Sequence, residues 1–211
     1  MSKISLKHSG GNVVSLNSPT SAPTSADVAF KLPNADGTSG QAIITDASGN
    51  LSFAGTGKIL QTVTSHKVDG FTTTSSSFVD LTGISRTITP TAASSKINII
   101  ISLHVGGAAG SYPTFNLLRG STIVTQGTYG SGSMTNCSFG TYIVHEAITQ
   151  TLGYTFLDSP TYSLGDTLTY KLQIASQYQS KEVAVNRNSS GTNASYSLSG
   201  TSTITVMEVA A

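Results

Sequence analysis

Apolar and polar residues alternate most regularly over 96–105, where Ile97, Ile99, Ile101, Leu103 and Val105 fall on one face. Asn98, Ser102 and His104 share the other face with Ile100. Successive strand side chains point to opposite sides of a sheet, so a period of two predicts a strand with one face on a core. Further strands are predicted at 58–66, 77–81, 84–89, 114–119, 122–127, 141–151, 154–157, 167–176, 181–186 and 201–209. Turn signals separate them, among them Arg119-Gly120-Ser121, Leu164-Gly165-Asp166 and Ser189-Ser190-Gly191. Many short strands at this spacing predict an antiparallel β-sandwich of jelly-roll type, and no window carries a helical period.

The pattern divides the chain into three zones. Residues 58–211 form the strand-rich head. Residues 29–57 are dense in turn signals, with LPNADG at 32–37 and TDASGN at 45–50 between short apolar runs. Asp-Gly and Gly-Asn pairs suit tight turns that need positive φ. Ala42, Ile43 and Ile44 predict one short strand and Leu51 with Phe53 another. So few strands bury no core alone, and Ile43, Leu51 and Phe53 need cover, which predicts a small collar built by several chains together. In residues 1–28, Pro19 and Pro23 remove ladder donors within a Ser/Pro/Thr stretch, and the segment reads as an extended arm.

Composition strengthens the all-β reading. Only 10% of the 211 residues are charged, so the Glu, Lys and Arg of helix surfaces are scarce. The formal charge is +1, and the eight Lys and three Arg are scattered, which argues against a nucleic-acid partner. No stretch approaches the roughly 18 apolar residues of a membrane span. The opening MSKISLKHSGGNVVSL lacks the apolar core of a secretory signal, giving the expectation of assembly in a cytoplasm. A single cysteine, Cys137, excludes an internal disulfide framework.

A search for catalytic chemistry returns little. His145 and Glu146 are adjacent in a predicted strand, so they point apart and do not form the spaced pair of a zinc protease helix. His8, His66 and His104 read as polar-face or interface residues. No GxSxG elbow accompanies the many serines. Of seven Asp and three Glu, most of the Asp sit in turn contexts, where capping explains them. Gly106-Gly107 with Gly110, and Gly130 with Gly132, read as turned or mobile loops, since no helix N-terminus follows to build an anion site. No catalytic residue, metal or cofactor is expected.

The remaining chemistry is that of a contact surface. Tyr112, Tyr129, Met134, Tyr178 and Arg187 fall in predicted loops 106–114, 126–140 and 177–195, among Ser, Gly and Asn. Tyrosine with small polar residues is the mix that adaptable binding loops use, although tyrosines also pack on sandwich ends. These loops are expected to face outward and touch a host surface molecule, a glycan in the first instance.

The segments VDLTGISRTITPTAASSKINIIISLHVGG, FNLLRGSTIV, YTFLDSPTYSLGDTLTYKLQIAS and STITVMEV carry a family resemblance. Together they resemble the C-terminal head domains of tailed-phage fibre and virion proteins, which are similar to the trimeric jelly rolls of the tumour-necrosis-factor and complement-C1q class. FLDSP at 156–160 and ITVMEV at 204–209 are the most distinctive pieces. The first 53 residues resemble the N-terminal stretch of structural proteins from phages of marine bacteria. The resemblance implies a homotrimer packed around an axis, the N-terminal 57 residues fixed to other virion proteins, and no catalytic residues. It places Met207 and Val209 of the final strand at the subunit interface. Attachment to a host and decoration of a capsid both remain open, and a polysaccharide-degrading enzyme is disfavoured by the scarcity of acids.

Overall fold

The computed structural model describes residues 3–7, 9–11, 13–17, 31–38, 41–46, 48, 50–55, 59–129, 132–189, 195 and 197–210. Every regular element among them is a strand, so the chain is all-β. It divides into two compact units, Met1–Thr56 and Gly57–Ala211.

The first unit holds two antiparallel pairs. Strand β1 (Lys3–Lys7) pairs with β2 (Val13–Asn17), within the stretch expected to be extended; residues 18–28 of that arm, like residues 29 and 30, lie outside the described residues. Strand β3 (Gln41–Thr45) pairs with β4 (Leu51–Gly55), placing Ile43 opposite Phe53. The Asp46 carboxylate forms the turn by accepting from the backbone N–H of Ser48 at 2.8 Å and of Asn50 at 3.1 Å. The Asn50 side chain and these backbone bonds hold the Asp46 carboxyl below its ordinary pKa. Ile43 and Ile44 are exposed, as is Leu32 in the preceding turn, so this hairpin buries little of its own apolar surface.

The second unit is a two-sheet sandwich. Its strands are β5 (Ile59–Lys67), β6 (Phe71–Thr73), β7 (Val79–Ile88), β8 (Lys96–Gly107), β9 (Pro113–Arg119) and β10 (Thr122–Thr125). They continue with β11 (Phe139–Gly140), β12 (Gln150–Asp158), β13 (Leu168–Ser176), β14 (Val183–Val185) and β15 (Ser202–Val209). In one sheet β12 lines one edge of β8, while β15 and then β14 share the other edge, flanked by β5 and β6. In the other, the order is β7, β13, β9, with β10 and β11 sharing the outer edge of β9. All these pairings are antiparallel, and four ranks of strands stand in each sheet. Successive strands mostly switch sheets, as jelly-roll connections do.

The core follows from the alternation. Ile97, Ile99, Ile101, Leu103 and Val105 are buried, whereas Ile100 is 37% exposed. They meet Leu81, Ile84 and Ile88 of β7, Phe115 and Leu117 of β9, Tyr170, Leu172 and Ile174 of β13, and Ile204 and Val206 of β15. Each such aliphatic side chain contributes about 1.5–3 kcal/mol by leaving water.

The sequence reading has no strand at β6, and three further regions of the head differ from it. Segments 77–81 and 84–89 join in a single strand, β7, whose register against β13 shifts at a bulge. Gly83 sits there at φ 85°, a left-handed conformation that suits glycine, beneath the side chain of Lys67. The expected strand 141–151 is irregular until Gln150. His145 accepts from the backbone N–H of Ala147 and Ile148, making a turn instead. Gly106 and Gly107 are not loop residues but the end of β8. A Cβ at Gly106 would strike the Arg187 carbonyl, so glycine here permits the 182–188 segment to approach closely.

Three buried polar clamps tie the connections down. Glu208 accepts from the Gln61 side chain (2.8 Å), the Thr91 and Ala92 N–H (2.9 and 3.0 Å) and the Ser95 hydroxyl (2.8 Å). Burial alone would push this carboxyl up, but the hydrogen bonds outweigh it and bring it down to about 2. Asp158 accepts from Arg119 and, at 2.7 Å, from the Tyr170 hydroxyl. Asn186, read from sequence as part of an adaptable contact loop, is fully buried at φ 63°. It donates to the carbonyls of Lys67 and Asp69 and accepts from Ser202, linking β5, β14 and β15.

Candidate contact site at one end of the sandwich

Pairing of Ile174 with Val79, of Ser176 with Pro113 and of Gln150 with Val105 brings the 74–78, 108–112 and 177–182 connections, and the described residues of 126–149, to one end of the sandwich. The long 126–138 excursion is fastened at its base. Gly127 N–H donates to the Cys137 carbonyl (3.0 Å) and Ser138 N–H to that of Phe115 (2.8 Å). Beneath it, Phe115, Phe139 and Tyr154 form a continuous stack with centroids 5.0 and 4.6 Å apart.

On this base three exposed tyrosines gather. Tyr112 lies 4.9 Å from Tyr142 and 5.9 Å from Tyr178, the latter edge-to-face. Tyr178 is held outward by a turn in which Gln179 and Ser180 take φ 52° and 49°, closed by Lys181 N–H donating to the Tyr178 carbonyl. Lys181 Nζ donates to the Ala109 carbonyl at 2.8 Å and stands 5.9 Å from the centre of the Tyr178 ring. Beside Tyr112 and Tyr178, Met134, Thr135 and Gln177 line an open pocket of about 390 Å³, together with Thr114. Thr135 donates to Gln177 Oε1 at 2.9 Å, and Gln177 Nε2 donates to the Ser76 carbonyl at 3.3 Å.

Of the five residues expected to form the contact surface, Tyr112, Met134 and Tyr178 come together. Tyr129 lies near the base of the 126–138 excursion, its N–H donating to Asn136, and is exposed. Arg187 is elsewhere, its side chain across Gly70 and its Nε donating to the Asn188 carbonyl. Residues 190–194 of the expected 177–195 loop lie outside the described residues. Sequence reasoning missed Tyr142, placed in a predicted strand, and Gln177 and Lys181, whose neighbours are distant in sequence.

The outward face of the sheet formed by β5, β15, β8 and β12 is a second distinctive surface. From the registers, Thr62, Met207, Asn98 and Leu157 form one row, and Thr64, Thr205, Ile100 and Thr155 the next. No charged side chain stands in either row, and Thr64 and Thr205 hydrogen-bond each other at 3.1 Å. Met207 is half-buried here, as is Val209 at the end of the strand. The other sheet differs: its outward face carries Asp80, bound to Lys171 at 2.7 Å.

His8 lies outside the described residues. His66 and His104 lie on strands and His145 in a turn, and among the described residues no three His, Cys, Asp or Glu side chains cluster to hold a metal. No described helix is long and apolar enough to cross a membrane.

Fold and surface together define an antiparallel jelly-roll sandwich with a cluster of exposed tyrosines at one end. No protein-family model and no curated protein matches the chain. Among solved structures, it is similar to a chain of the T13 particle of infectious bursal disease virus, at 10% identity and a TM-score of 0.39, over 79% of this chain and 40% of that one. It is also similar to a chain of the VP2 subviral particle of the same virus, at 15% identity and a TM-score of 0.33, over 93% of this chain and 48% of that one. The chain therefore spans less than half of these virus chains, and likeness of this degree fixes neither family nor function.

Proposed function

We propose that this chain is a non-catalytic structural protein of a virus particle of tailed-bacteriophage type, acting as a homotrimeric appendage that contacts the host surface. The observation that carries the proposal is the convergence of Tyr112, Tyr142, Tyr178 and Met134 at one end of the head, all exposed and all from irregular connections. A rigid sandwich that presents tyrosines from loops suits recognition, because the rings offer contact area at small entropic cost. The resemblance of the head segments to phage fibre heads points the same way.

The two uncharged rows on the outward face of β5, β15, β8 and β12 support a trimer interface centred on Ile100, Leu157 and Met207, with Val209 at its rim opposite Lys96, since subunit cores are depleted in charge. Exposure of Leu32, Ile43 and Ile44 in the first unit supports its role in docking on other virion proteins or on its own copies. Three weak sites per trimer, repeated over a particle, would supply avidity without a tight single site.

Particles carrying Tyr112→Ala with Tyr178→Ala test the reading. They are expected to assemble normally and to lose host adsorption, and unchanged adsorption overturns it. The same small docking unit equally suits a capsid decoration protein, in which the head would face outward from the shell and attachment would be secondary.

A further inference from the structure

We infer, resting on the attachment reading above, that the Tyr112–Tyr178 pocket is a subsite for one uncharged pyranose ring, a neutral hexose or an N-acetylhexosamine. Its volume, about 390 Å³, lies in the range of small-molecule sites, roughly 300–1,000 Å³. The lining is amphipathic in the way a sugar is. The Tyr112 and Tyr178 rings meet at 77°, so two aromatic surfaces of different orientation border the opening. Ring faces carry negative charge density that attracts the weakly positive C–H groups on the apolar side of a pyranose.

The polar groups are all neutral, and their hydrogen bonds leave capacity to spare. Thr135 donates its proton to Gln177 and keeps its acceptor lone pairs, and Gln177 retains a second amide proton beyond the one given to Ser76. Thr114 likewise donates to the Ala175 carbonyl at 3.1 Å and can still accept. Sugar hydroxyls, which donate and accept at once, match such groups. Met134, 66% exposed, supplies an adaptable apolar contact for an acetamido methyl or a deoxy carbon.

Charge argues against ionic sugars. No Asp, Glu, Lys or Arg lines the pocket, so a uronic acid would shed its hydration there without a counter-charge. The nearby Lys181 ammonium stands outside the lining, held against the Ala109 carbonyl and 5.9 Å from the centre of the Tyr178 ring. An amine-bearing ligand would be repelled by that cation and would compete with it for the same aromatic face.

Saturation-transfer NMR on the full chain, with methyl glycosides of a hexose, an N-acetylhexosamine, a hexuronic acid and a free hexosamine, tests the inference. The two neutral glycosides are expected to compete for one site with Kd of about 1–10 mM, with saturation strongest on ring C–H protons. Tyr178→Ala should weaken them roughly tenfold or more, with an unchanged melting temperature showing that the fold survives. Thr135→Val, nearly isosteric, provides an independent variant should Tyr178→Ala fail to fold, and should also weaken both.

Preferential binding of the uronic acid or the free amine overturns the inference. So does neutral binding that survives both Thr135→Val and Tyr178→Ala. Adsorption of variant particles separates the two readings. If Tyr178→Ala abolishes adsorption while no neutral glycoside binds, the sugar class falls and the attachment reading stands. If neutral glycosides bind at the pocket while adsorption is untouched, the subsite stands and the attachment reading falls.

Discussion

Glu208→Gln should remove a large fraction of the stability of the head and reshape its response to acid. Glu208 has no accessible surface, yet its carboxylate is met by five donors from Gln61, Thr91, Ala92 and Ser95. Those bonds fasten the 90–95 connection to the last strand. They bring the carboxyl from 4.5 down to about 2, against the upward push of burial. At roughly 1.4 kcal/mol per pH unit, and allowing for screening at the rim of the sandwich, the clamp contributes about 2–3 kcal/mol at neutral pH. Because the folded value is depressed, this stability is fully present above the unfolded value of 4.5 and is lost as pH falls from there towards 2. A glutamine would keep one acceptor and turn an NH₂ group towards donors that it cannot satisfy. Urea unfolding of wild type and variant at pH 7, 5 and 3 measures the difference. The gap should be about 2–3 kcal/mol at pH 7 and shrink markedly at pH 3. Equal stability at pH 7, or a gap that does not change with pH, would refute the clamp.

Other perturbations report on the core, the close approach and the interface. Ile99→Ala should cost about 2–5 kcal/mol in urea unfolding because Ile99 is fully buried between the sheets. The next residue, Ile100, faces outward, so Ile100→Lys should stay within about 0.5 kcal/mol for the isolated head but reduce the trimer seen by sedimentation equilibrium. Gly106→Ala should destabilise by about 1–3 kcal/mol in thermal melts, since its Cβ meets the Arg187 backbone, which has no flexible end to move aside. Tyr170→Phe removes a 2.7 Å bond to Asp158 and should cost about 1–2 kcal/mol by the same assay.

Much of the fold was legible because alternation over β8 leaves no second solution: slipping that strand by one residue would expose five aliphatic side chains and bury His104 and two polar residues. Strand β15 read equally well, since Ile204 and Val206 alternate with threonines. Boundaries failed where local signals misled. Thr82-Gly83 looked like a break in β7 and is a bulge within it, because the register against β13 continues on both sides. Over 141–149, apolar residues suggested a strand, but the His145 side chain captures the backbone donor of Ala147 and turns the chain. Gly106 looked like a loop glycine, because the segment that presses on it is some 80 residues away in sequence.

The contact site was only partly legible for the same reason. Tyrosines in loops mark residues free to face outward, but which of them meet depends on strand order. Tyr112 and Tyr178 become neighbours because Pro113 pairs with Ser176, a fact of the β9–β13 register. Tyr129 carries the same local signal and lies elsewhere on its loop. Asn186 shows the converse: a residue type common in binding loops is here the buried junction of three strands.

Cryo-electron microscopy of the intact particle tests the central claim most directly. Threefold density for this chain is expected on the particle exterior, with the Tyr112–Tyr178 end of each head pointing away from the particle. Absence of the chain from the particle, or heads whose tyrosine ends are buried against it, would contradict the account.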